Sequence, residues 1–203
     1  MTDLLAVLAA YFVGSIPFAQ LLSRRRGIDL RRVGSGNVGA TNVLRTSGVR
    51  AAVIAMMLDA VKGTVAVLVA QRLTNSVAAP VAAGLASMIG HVYPVWLRFR
   101  GGKGVATAAG AFAVLTPVGV VVAAAVFLLV VAIWRFISVG SMAAAVTLAG
   151  WALVSGAPSA VGIGAAVAAV MVIAGHRANL ARLAAGTERR IGQRRVSVKP
   201  ASS

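Results

Sequence analysis

The sequence predicts an all-α integral membrane protein of about seven transmembrane helices, with the N-terminus outside and the C-terminus cytoplasmic. Three observations predict it. The 203-residue chain is 59% hydrophobic and 12% charged, with a mean hydropathy of +0.89; a soluble domain is nearer half apolar and one quarter charged. Its apolar residues fall into long runs separated by short polar turns, the pattern of spans and loops. Its charge is one-sided, 20 Lys and Arg against 4 Asp and Glu, for a net +16. In a soluble protein that balance would point to nucleic acid. In a chain of spans, topology and anionic lipid account for it, and no nucleic-acid partner is expected.

The expected spans are residues 4–22, 51–70, 77–97, 105–116, 118–134, 139–154 and 161–174, in one multi-pass domain over 1–203 that closes with a basic cytoplasmic tail at 175–203. The first run follows Asp3 rather than a basic segment and precedes no convincing cleavage site, so it reads as a retained span. Gly14, Ser15 and Pro17 interrupt it, which predicts a kink or close helix packing at its inner end. A polar loop with seven arginines follows, residues 23–50. The second and third runs are joined by a turn carrying Arg72. Thr116–Pro117 divides the fourth run from the fifth, Arg135 stands alone in the next turn, and residues 155–159 turn the chain into the last run. Twelve residues at 105–116 cover only ~18 Å as a helix against a hydrocarbon core of ~30 Å, so a partial or re-entrant segment is expected, and five spans with the short runs merged is the alternative. With seven crossings and the N-terminus outside, 18 of the 20 Lys and Arg fall on the inner side.

Three basic, glycine-containing segments then share one face. The first to consider is the loop 98–107, where three positive charges and three glycines separate two apolar runs. Glycine lets backbone amides approach a ligand closely, and a helix beginning at Val105 would favour an anion at its N-terminus. Gly101, Gly102, Lys103 and Gly104 therefore read as a phosphate cradle, against the alternative of an ordinary basic cytoplasmic loop. Val105 follows Gly104, so the Walker A pattern is not met, and no acid for magnesium stands nearby. Phosphate binding fits this loop and nucleotide hydrolysis does not.

The second segment, residues 31–45, contains a literal G-x-G-x-x-G at Gly34, Gly36 and Gly39, but no βαβ unit surrounds it. What remains is a pliable backbone with Ser35, Asn37, Thr41 and Asn42 as neutral donors and Arg45 as a fork for an oxyanion. The third segment, residues 175–188, puts His176 and Asn179 on one helix face, with Arg182 a turn further. Glu188 lies among arginines and is expected to pair with them and fix the tail. Within the second run, Asp59 and Lys62 stand at i, i+3 and are expected to form a mutual ion pair supporting the site. His91 and Tyr93 are expected to cap or pack the end of the third run.

The inventory excludes much. There is no cysteine, and four acids with two histidines cannot build a dimetal or tri-histidine centre, so no metal and no cofactor are expected. Phosphotransferases built on several aspartates and magnesium are excluded on the same count. Trp96 and Ala181 stand five residues after the two histidines, so the His-x4-Asp pair of thioester-dependent glycerol-phosphate acyltransferases is missing.

Taken together, Ser15-Ile-Pro-Phe18, Gly34-Ser-Gly-Asn-Val-Gly-Ala-Thr-Asn42 with Arg45, Asp59-x-x-Lys-Gly63, Gly90-His-x-Tyr-Pro94, Arg100-Gly-Gly-Lys-Gly104 and Gly175-His-Arg-x-Asn179 resemble the bacterial acyl-phosphate:glycerol-3-phosphate acyltransferase family (PlsY). The resemblance covers essentially the whole chain, and the joint order of the motifs is more specific than any one of them. It implies a multi-pass enzyme of the bacterial inner membrane that makes lysophosphatidic acid, the first acylation of phospholipid synthesis. It also implies a fatty acyl phosphate donor made by a soluble enzyme in transient contact with it. Its expected partners are glycerol-3-phosphate, long-chain acyl phosphate and membrane lipid. The glycine loop would then be the glycerol-phosphate site, with Lys103 and the amides of Gly101, Gly102 and Gly104 on one phosphate and Arg45 with Ser35 beside them. His176 and Asn179 would orient or polarise the reacting groups. An acyl phosphate is a mixed anhydride, so direct attack by the sn-1 hydroxyl is the expected course, with His176 or a substrate phosphate taking the proton, and a Ser35 acyl-enzyme using His176 as base is the rival. A transporter for a phosphorylated solute and a lipid-binding scaffold are the other classes considered; one-sided polar residues speak against the first, and three loops rich in Gly, Ser, Asn and His against the second.

Overall fold

The computed structural model describes residues 1–192; the part of the expected basic tail at 193–203 lies outside them. Among the described residues the regular structure is entirely helical. The helices are α1 (Thr2–Ser15), α2 (Phe18–Arg24), α3 (Ala40–Ser47), α4 (Val49–Leu73), α5 (Ala78–Val92), α6 (Val105–Leu115), α7 (Pro117–Trp134), α8 (Ile137–Val154), α9 (Ser159–Gly175) and α10 (Arg177–Ala184), with a 3₁₀ turn at Val95–Leu97.

By length and composition, five segments can cross a membrane: Thr2–Arg24, Val49–Leu73, Ala78–Leu97, Pro117–Trp134 and Ile137–Val154. The pair α9 and α10, bent by 55° between them, would make a sixth. The seventh expected span, 105–116, is the one that falls short: α6 has 11 residues, about 16 Å of helix. The interruption expected near Pro17 is present as the break between α1 and α2, with Ile16 in extended conformation. The polar loop 23–50 is not wholly irregular, since α3 lies inside it.

Packing runs α1 on α5 and α4, α4 on α6, then α7, α8 and α9 in sequence, with α5 against α9. Small residues set the closeness of these crossings. At the α4–α6 crossing a side chain on Gly110 would collide with the Ala60 carbonyl, and Thr64 Oγ1 donates to the Gly110 carbonyl at 2.9 Å. The largest core cluster gathers Val67, Met88, Phe112, Ala165 and Val172 from α4, α5, α6 and α9. On the outside, Val121, Leu128, Leu129 and Ile133 of α7 are exposed. An apolar stripe of that kind would be anomalous on a soluble monomer and is the ordinary face of a helix toward lipid. The short α6 is covered on both sides by α4 and α5, and it starts where the glycine loop ends.

Candidate active site

The loop before α3 is held by two buried amides. Gln20 Nε2 donates to Asp29 Oδ1 at 2.8 Å, and Gln20 Oε1 accepts from the Leu30 amide at 3.2 Å. Arg31 and Gln20 together hold the Asp29 carboxyl at about 2, well below its ordinary value. Asn42 Oδ1 accepts from the Ser35 amide at 2.9 Å, while its Nδ2 donates to the carbonyls of Leu30 and Val33, each at 3.0 Å. Asn42, expected on a phosphate, thus has both ends of its amide engaged within the loop. Asn37 Oδ1 caps the Gly39 amide at 2.9 Å, and Nδ2 reaches the Gly101 carbonyl at 3.5 Å, stitching this loop to the next. Ser35 is exposed and Thr41 half-buried. Among the described residues no side chain engages either hydroxyl, and no hydrogen bond joins Ser35 to His176.

The glycine loop differs from the expected cradle in detail. The amides of Gly101 and Gly102 donate to the carbonyls of Val92 and His91, each at 3.0 Å, so they face their own chain. The amides without a backbone partner come next, at Lys103, Gly104 and the first turn of α6. Gly104 starts that helix from a left-handed conformation, φ 77°. Of the expected cradle, Lys103 and Gly104 rather than the glycine pair thus offer amides beside the N-terminus of α6, where an anion would be favoured. Gly102 lies directly against the His91 imidazole, where a side chain would meet Cε1 at 2.8 Å.

Beneath the loop, Asp59 and Lys62 form the ion pair expected from their spacing, at 2.9 Å and almost fully buried. His91 joins it, which their spacing did not announce. Lys62 Nζ lies 2.8 Å from His91 Nδ1 and 3.2 Å from the Ile16 carbonyl. An ammonium has three hydrogens and no lone pair, so all three are engaged and Nδ1 of His91 accepts. His91 Nδ1 also lies 3.4 Å from Asp59 Oδ1, and its Nε2 edge faces Gly102.

The third segment brings the remaining groups together. His176 sits at the bend between α9 and α10, and its Nδ1 lies 2.8 Å from the Val172 carbonyl. A carbonyl only accepts, so Nδ1 donates and the Nε2 lone pair is left over. Asn179 joins two charges: its Oδ1 accepts from Lys103 Nζ, and its Nδ2 donates to Glu188 Oε1 at 2.6 Å. Glu188 also accepts from Ser138 Oγ at 3.0 Å and, on Oε2, from Arg182 Nε at 2.7 Å. Gly175 packs against Lys103, where a side chain would lie 3.7 Å from its Cα, so the bend and the glycine loop are in direct contact. Ser138 is the member that sequence reasoning missed; a lone serine at the start of an apolar run carries no signal of this contact.

The electrostatics favour an anion. Burial lowers Lys103 to about 8; Glu188 pulls it up, and Arg182 and Arg45 push it further down. Arg45 also feels Arg189, Glu188 and Arg182. Burial alone would raise Glu188, yet the hydrogen bonds from Asn179, Arg182 and Ser138 hold it below the usual carboxylate range. A single carboxylate thus shares its surroundings with Lys103, Arg45, Arg182 and Arg189, and that surplus of positive charge is what a phosphate would neutralise. Among the described residues no group of three or more His, Cys, Asp and Glu side chains is placed to hold a metal.

The chain is similar to known proteins in sequence and in fold. The family model for glycerol-3-phosphate acyltransferases matches residues 4–186. A glycerol-3-phosphate acyltransferase of Myxococcus xanthus is 48% identical over 91% of this chain and 97% of its own length. One of Geobacter sulfurreducens is 46% identical over 94% of this chain and 98% of its own. The crystal structure of PlsY (YgiH), an integral membrane glycerol 3-phosphate acyltransferase in its glycerol 3-phosphate form, superposes with a TM-score of 0.90 at 39% identity, over 95% of this chain and 96% of that one. Its lysophosphatidic acid form gives 0.88 at 37% identity, with the same coverage. By its sequence and its fold, this chain belongs to the glycerol-3-phosphate acyltransferase family.

Proposed function

We propose that this membrane protein transfers a fatty acyl group from an acyl phosphate to the sn-1 hydroxyl of glycerol-3-phosphate, releasing lysophosphatidic acid and inorganic phosphate. The observation that carries the reading is the chain Lys103–Asn179–Glu188 beside a histidine whose Nε2 is unengaged, at an end of the molecule with surplus positive charge. The solved relatives in glycerol 3-phosphate and lysophosphatidic acid forms support it. The missing His-x4-Asp pair favours an acyl phosphate over a thioester donor.

In the reaction the sn-1 oxygen attacks the acyl carbonyl carbon. Its proton passes to Nε2 of His176 or to a substrate phosphate oxygen, and the bond from that carbon to the phosphate oxygen breaks, so phosphate leaves with the electron pair. Lys103, Arg45 and the unpaired amides at the start of α6 hold phosphate and offset the developing negative charge. Asn179 sets the direction of the Lys103 ammonium. The donor is already activated, so no covalent enzyme intermediate is required, and the absence of a Ser35–His176 hydrogen bond favours direct attack over an acyl-serine. No cofactor takes part.

The site end faces the cytoplasm of a bacterial inner membrane, with the N-terminus on the other side; the arginine-rich loop and α10 support that orientation by the positive-inside rule. A soluble enzyme in transient contact supplies the acyl phosphate, whose chain stays in lipid. The test is acyl transfer by the purified protein in a lipid environment, with labelled glycerol-3-phosphate and either palmitoyl phosphate, palmitoyl-CoA or a palmitoyl carrier protein. Lysophosphatidic acid is expected from the acyl phosphate alone, without added metal, and Ser35→Ala is expected to keep most turnover. Product from either thioester would overturn the donor assignment, and an inactive but folded Ser35→Ala would restore the acyl-serine route.

A further inference from the structure

Arg135 is a charge that topology alone would explain, since it stands in a short turn between two apolar runs. The structure gives it a second task. It ends α7 in a left-handed conformation, φ 62°, and exchanges two hydrogen bonds with a residue 56 positions later. Arg135 Nη2 donates to the Ile191 carbonyl at 2.7 Å, and the Ile191 amide donates to the Arg135 carbonyl at 2.8 Å. Gly192 passes so close over the guanidinium that a side chain there would approach Nη2 to 2.8 Å. The neighbouring Arg190 guanidinium lies 5.2 Å from the Phe136 ring centroid.

The segment so gripped is the one that carries Glu188. At its near end the Thr187 and Glu188 amides donate to the Arg182 carbonyl, at 2.8 and 3.1 Å, Arg182 Nε holds Glu188 Oε2 at 2.7 Å, and Ser138 Oγ at the start of α8 donates to Oε1 at 3.0 Å. At its far end the clasp on the α7–α8 turn decides where the chain leaves. Between these two points Glu188 Oε1 receives Asn179 Nδ2, and Asn179 Oδ1 receives the Lys103 ammonium. A side chain held at one end swings, whereas one held at both ends presents its carboxylate in one direction, and an oriented amide can only be as fixed as the group that orients it.

We infer that Arg135 is a positioning residue for the phosphate site, acting on Lys103 through Ile191, Glu188 and Asn179. The inference rests on the reading of Lys103 as a phosphate-binding group. Releasing the clasp leaves the Glu188 backbone anchored from α10 alone, so its carboxylate shifts against Ser138 and Arg182, Asn179 follows it and the Lys103 ammonium is less well directed, which weakens the hold on glycerol-3-phosphate more than it slows the chemical step.

The test compares Arg135→Met, Arg135→Lys and Ile191→Pro in the full-length protein, with Lys103→Ala in parallel. Steady-state acyl transfer and thermal unfolding are measured for each. Arg135→Met is expected to raise KM for glycerol-3-phosphate about tenfold with a smaller change in kcat, one charge-assisted hydrogen bond passed on in part. Arg135→Lys, which still has a donor for the Ile191 carbonyl, is expected to recover most of it. Ile191→Pro, which removes the reciprocal donor, is expected to repeat the Arg135→Met effect and decides the matter if that variant does not fold. An unchanged KM in Arg135→Met and Ile191→Pro, or a lower melting temperature with KM unchanged, overturns the inference while Lys103→Ala remains impaired. If Lys103→Ala itself keeps a normal KM, the phosphate reading fails and the inference falls with it.

Discussion

Two charged clusters flank the glycine loop, and they end in opposite states. Beneath Gly102 lie Asp59, Lys62 and His91, almost closed to solvent, with every hydrogen of the ammonium engaged by a carboxylate, an imidazole nitrogen or a carbonyl. Beside Lys103 lie Asn179, Glu188, Arg182 and Arg45, where a single carboxylate stands among several cations. In the first cluster the one carboxylate and the ammonium offset each other. In the second the cations outnumber the carboxylate, and under the proposed function a substrate phosphate would offset them. Charge count and donor count, more than the residue types, separate a balanced cluster from one with positive charge to spare.

Breaking the closed cluster should have the largest effect. Lys62→Met leaves the Asp59 carboxylate buried without its ammonium partner, a loss of about 3–5 kcal/mol for a broken buried ion pair. Most of the stability of a small domain is of that order, so the variant is expected to lose its folded, monodisperse form in detergent. Replacing both partners, Asp59→Leu with Lys62→Met, should recover much of the thermal stability. A single variant that melts like the parent would show that this pair is not what supports the loop.

Opening the other cluster should leave the fold and remove the activity. Lys103→Ala is expected to keep its melting temperature within a few degrees and to lower kcat/KM on the order of 10²–10³, the usual effect of deleting one preorganised charge-stabilising donor. The comparison would lose its meaning if Lys103→Ala unfolded the protein or Lys62→Met only slowed it.

Much of this was legible in the sequence where the physics is local. Apolar runs announced the helices, 12 residues announced that the run at 105–116 was short, and i, i+3 spacing announced the Asp59–Lys62 pair. What was not legible depends on residues far apart in the chain. His91 meets Lys62 across 29 positions and Lys103 meets Asn179 across 76, and no periodicity encodes either. The same limit explains the glycine amides. Composition shows that Gly101 and Gly102 are pliable, but only the returning carbonyls of His91 and Val92 decide that their N–H groups turn inward. Asn42 could not be told from a ligand by type, because an amide that braces a loop and one that binds phosphate look alike until their partners are known.

The smallest effect separates the clusters by pH. Lys103 is lowered to about 8, by burial first and then by Arg182 and Arg45, with Glu188 opposing them. Its charged form is the one that attracts phosphate, so it is competent below that pH and fails above it. In the free enzyme kcat/KM for glycerol-3-phosphate should therefore fall about tenfold per pH unit on the alkaline side, beginning near 8. Arg182→Gln removes a positive neighbour, which makes protonation of Lys103 easier, and should move that limb to higher pH. A Lys62 variant that still folds should leave the limb where it is, because Lys62 is not among the charges acting on Lys103. A limb that ignores Arg182 but follows Lys62 would mean that the closed cluster, rather than the open one, tunes the phosphate site.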